Sequence, residues 1–90
     1  KITETATDLA VALATWSSLH EKPLPAKTVV VGEVGLAGEI RRVPNLGRRL
    51  QEAARMGYTG AIVPAGEELS IDGLTVRPVS TLAEALSLLQ

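Results

Sequence analysis

The chain has 90 residues, 46% of them hydrophobic, and nine Lys and Arg against ten Asp and Glu give a net charge of -1. A chain this short cannot divide into two stable cores, so it reads as one compact domain. With no cysteine, disulfide scaffolds, thiol nucleophiles and thiolate zinc sites are excluded together.

The apolar runs are a few residues long, where a membrane helix needs roughly 20. Lys1-Ile2-Thr3-Glu4 leads directly into an apolar pattern with no signal-peptide character, which suggests a cytoplasmic chain. Only Trp16 and Tyr58 are aromatic. The core must therefore be built from Leu, Val, Ile and Ala, and base-stacking platforms for single strands are missing.

The first predicted element is a helix from about Thr5 to His20, with Thr5 as its cap and Leu9, Ala12, Leu13, Trp16 and Leu19 on one face. Its other side carries no charge, so the helix is expected to be covered on more than one side. The prolines at 23 and 25 end it. Thr28-Val29-Val30-Val31 is a β-branched run that predicts a strand buried on both faces, and 39–43 predicts a returning strand that makes a hairpin.

Asn45 is positioned to cap a second helix over 46–56, with Leu46, Leu50, Ala53 and Ala54 inward and Gly57 as its C-terminal cap. A short strand at 60–64 follows, and strand, helix, strand at this spacing is a right-handed parallel crossover. Asp72-Gly73 is a turn, 74–79 is a strand that Pro78 places near an edge, and Thr81 with Glu84 caps a last helix. The fold class is α/β, a βαβ crossover plus a hairpin.

Candidate chemistry is sparse. The glycines at 32, 35 and 38 precede a strand, whereas a phosphate loop must open a helix, so they are read as shaping the hairpin. His20 is the single histidine, and it suits the C-terminal end of the first helix better than a metal site or a serine–histidine pair. No catalytic and no metal-ligating residue is assigned.

Charge is the informative signal. Arg41, Arg42, Arg48, Arg49 and Arg55 are opposed within 41–55 only by Glu52, so the segment carries +4 and the remainder -5. Arg48 and Arg55 share the helix face opposite Leu46 and Leu50, with Arg49 flanking it, which directs all three to solvent. Guanidinium groups suit bidentate phosphate contact, while a plain solvated face remains the alternative.

The runs Val31-Gly32-Glu33-Val34-Gly35-Leu36-Ala37-Gly38-Glu39-Ile40-Arg41, Val43-Pro44-Asn45-Leu46-Gly47-Arg48-Arg49-Leu50 with its continuation to Gly57, and Ala61-Ile62-Val63-Pro64 resemble the C-terminal Lon-protease-like domain of the RadA (Sms) family of bacterial DNA-repair proteins. The resemblance covers nearly the whole chain. It implies a Lon-peptidase-like, ribosomal-protein-type two-layer fold over residues 1–90, truncated at its N-terminus, since family domains carry further strands before the position of Lys1. It also places the Lon serine at Ala6 and the Lon lysine at Gly47, which removes nucleophile and base. Thr5 and Thr7 are the nearest substitute hydroxyls, and a divergent peptidase or a pure protein-interaction module are the rival readings.

For the parent protein the resemblance implies a DNA-dependent ATPase that uses ATP, magnesium and zinc outside this segment. The implied partners are DNA, a homo-oligomeric ring and a recombinase. Arg41, Arg42, Arg48, Arg49 and Arg55 are the candidate DNA contacts, a reading that rests on charge placement.

Overall fold

The computed structural model describes residues 8–21, 27–66 and 68–88. In chain order these form α1 (Asp8–His20), β1 (Thr28–Val30), β2 (Glu33–Val34), β3 (Ile40–Arg41), α2 (Leu46–Arg55), β4 (Gly60–Pro64), β5 (Thr75–Val79) and α3 (Leu82–Ser87). The predicted N-cap Thr5 lies outside the described residues.

A three-stranded parallel sheet in the order β1-β4-β5 is the centre of the fold, and α2 connects β1 to β4 as the expected crossover. The side chains of β4 alternate between two cores. Ala61 and Val63 join Leu46 and Leu50 of α2, while Ile62 faces Leu9 and Leu13 of α1 and Ala85 of α3. Helices thus lie on both faces of the sheet.

The strand buried on both faces is β4, where Ala61 to Pro64 are all buried. β1 is only half-buried along its length, because among the described residues it is an edge strand. β-branching made β1 look central, but position in the sheet decides burial. At the other edge, Thr75 and Val79 bond toward β4, so the backbone of Pro78 faces outward. Its missing N–H costs no ladder bond there, as expected of an edge proline.

The hairpin exists, but its partners differ from those expected. β3 pairs antiparallel with β2, with Glu33 opposite Arg41 and Val34 opposite Ile40, and the 28–31 run stays in the parallel sheet. Gly32 is the point of divergence. It is buried where a Cβ would lie 3.0 Å from Leu9 Cδ2 and 3.1 Å from Ile40 Cγ2, and its carbonyl accepts the Leu9 N–H. The hairpin base is fixed by the Ile40 N–H donating to Ser80 and the Leu82 N–H donating to Gly38.

Helix ends show which capping signals act. Thr81 Oγ1 accepts the Glu84 N–H at 3.1 Å, and Glu84 Oε1 accepts the Ser80 N–H at 2.6 Å. Gly57, at φ 100°, closes α2 in a Schellman arrangement, with its own N–H donating to Ala54 and the Tyr58 N–H to Ala53. Asn45 departs from expectation. It stands at the N-cap in the left-handed region, φ 60°, and its side chain accepts no helix N–H. Asparagine tolerates that conformation, but it turns the side chain away from the first turn.

α1 also differs from expectation. Leu9 and Leu13 are fully buried, yet Leu19 is 76% exposed and Ala14, Thr15 and Ser18 face solvent. Among the described residues the helix is covered on one face.

Candidate nucleic-acid interface

The five arginines share a sequence interval but not an environment. Arg41 is held: its Nη2 and Nε donate to Glu39 Oε2 at 3.0 and 3.2 Å, and its Nη1 lies 3.8 Å from Glu33 Oε1. Arg55 pairs with Glu52 at 3.2 Å on the exposed side of α2. Arg49, expected to face solvent, is half-buried and donates from Nε to the Pro44 carbonyl at 3.1 Å. Its long side chain folds back over the loop that precedes α2, so it serves the fold.

Arg42 and Arg48 are exposed, and neither has an ion-pair partner among the described residues. The Arg42 guanidinium lies flat over Gly66, where a Cβ would come within 2.9 Å of Nε. Arg48 stands at the rim of an apolar groove of about 500 Å³ between β1 and α2, floored by Val29, Ala53, Met56 and Tyr58.

The acids that neutralise Arg41 lie outside the 41–55 interval. Glu33 is its cross-strand partner, and Glu39 is two residues away on the same strand face. Counting net charge along 41–55 missed them because register, not sequence interval, decides which charges meet.

Glu39 also pins the hairpin tip. Its carboxylate accepts the Ala37 N–H at 3.1 Å and fills the space a side chain at Gly35 would need. Its own backbone N–H, then the Arg41 guanidinium and the Ala37 N–H, hold its carboxyl below the ordinary value of 4.5. A carboxyl depressed in the folded state stabilises fully above its ordinary value and loses that contribution as pH falls through the lowered one. Protection of the Ala37 amide, its exchange rate relative to an unstructured peptide at the same pH, is therefore expected to fall only below the ordinary carboxylate range. Glu39→Gln should remove that step, and a step that survives the substitution would assign it elsewhere.

Gly47, the position matched to the Lon lysine, lies in the first turn of α2 and presents no side chain. Ala6, Thr5 and Thr7 lie outside the described residues. His20 Nδ1 donates to the Trp16 carbonyl at 3.0 Å and its ring stacks on Trp16 at 4.3 Å, so it finishes α1 as expected. Among the described residues no three His, Asp or Glu side chains converge to hold a metal, and no helix is long and apolar enough to cross a membrane.

Comparison with known proteins adds what geometry cannot. Residues 2–67 match the family model described as subunit ChlI of Mg-chelatase. The chain belongs to the ChlI family. Within this family's reach, the chain is similar to the DNA repair protein RadA of Salmonella typhimurium, at 53% identity over 97% of its residues. It is likewise similar to the RadA proteins of Escherichia coli, at 51% identity over 97%, and of Aquifex aeolicus, at 48% over 98%. It spans only about a fifth of these relatives, 19%, 19% and 20% of their lengths in turn. The resemblance read from the glycine-rich hairpin and α2 is therefore correct, and this ChlI-family chain matches a segment of RadA.

Proposed function

We propose that the chain is a non-catalytic segment of a RadA-type DNA repair and recombination ATPase that helps assemble the ring and presents a basic surface to DNA. The observation that carries this reading is the 53% identity to RadA over 97% of the chain. The family description names a magnesium chelatase subunit, but the relatives that match nearly end to end carry the DNA-repair name. On this reading the fold is Lon-like and the segment belongs to a larger domain. ATP, magnesium and zinc are handled elsewhere in the parent, which is cytoplasmic and acts with a recombinase on branched intermediates.

The environments of the arginines sharpen the contact set. A cation already paired must give up its carboxylate to reach a phosphate, while a free one need not. Arg42 and Arg48 are thus the leading phosphate contacts, Arg41 and Arg55 are secondary, and Arg49 is structural.

Replacing both Arg42 and Arg48 with Glu in the full-length parent is expected to weaken duplex binding. It should also flatten the dependence of log affinity on log salt by about 1.8, at roughly 0.9 per phosphate contact. Arg49→Gln should leave that slope unchanged. An unaltered affinity and slope in the double variant would remove this surface from the DNA site. Light scattering with and without a DNA oligomer separates DNA contact from a role in assembly alone.

A further inference from the structure

We draw no further inference here: the strongest candidate, the apolar groove of about 500 Å³ between β1 and α2 that Val29, Ala53, Met56 and Tyr58 line, is an unpartnered face, and nothing in the structure shows what covers it.

Discussion

Leu50→Ala is expected to lower the unfolding free energy by about 2 to 5 kcal/mol, the range for truncating a buried leucine. Leu50 is fully buried in the middle of α2, in the core that Val31, Val43, Leu46, Ala61, Val63 and Leu74 also form. The residues around it come from β1, the loop before α2, β4 and the strand entry at Leu74, so no single movement can close the space left behind. At roughly 0.05 to 0.15 kcal/mol per residue, a domain of this size has about 4.5 to 13.5 kcal/mol of stability, so the loss is a large fraction of it. Urea unfolding should show a midpoint shift with an unchanged slope. Leu36→Ala, at a fully exposed hairpin tip, is the control and should stay within about 0.5 kcal/mol. A loss at Leu50 no larger than the control's would show that α2 does not pack as described.

Leu13→Ala tests the opposite face of the sheet. Leu9 and Leu13 of α1 are fully buried, and both enter the core with Ile40, Ile62, Val79 and Ala85. The expected loss is again about 2 to 5 kcal/mol, but it should be distributed differently. With one of these anchors gone, α1 should undock before the sheet unfolds. Hydrogen exchange would then accelerate across residues 9–20 while the amides of β4 keep their protection. Uniform acceleration through β4 would instead make both faces one cooperative unit. Because the two leucines lie in separate cores, the losses from Leu13→Ala and Leu50→Ala should add within about 0.5 kcal/mol.

Much of this fold is legible from local chemistry. Gly57, Thr81 with Glu84, and Asp72-Gly73 act through bonds made within a few residues, and each appears where its pattern placed it. The crossover from β1 through α2 to β4 followed from two apolar strands and an amphipathic helix at short spacing. Asn45 shows the limit of such signals. The residue type was right for a cap, but Asn45 stands in the left-handed region and its side chain makes no bond to the helix.

The arginines show a second limit. Sequence interval grouped five cations, and strand register and loop packing divided them into paired, structural and, among the described residues, unpaired.

By itself the sequence determined the α/β class, the order of its elements, the absence of cysteine chemistry and the relationship to RadA, because these rest on composition, short-range bonding and unbroken runs of matching residues. Only the tertiary structure decided which strand is central, that the hairpin pairs 33–34 with 40–41, and that, among the described residues, α1 is covered on one face and Arg42 and Arg48 have no carboxylate such as those that hold Arg41 and Arg55. Burial and ion pairing depend on neighbours brought together from distant parts of the chain, and a linear pattern contains no record of those distances.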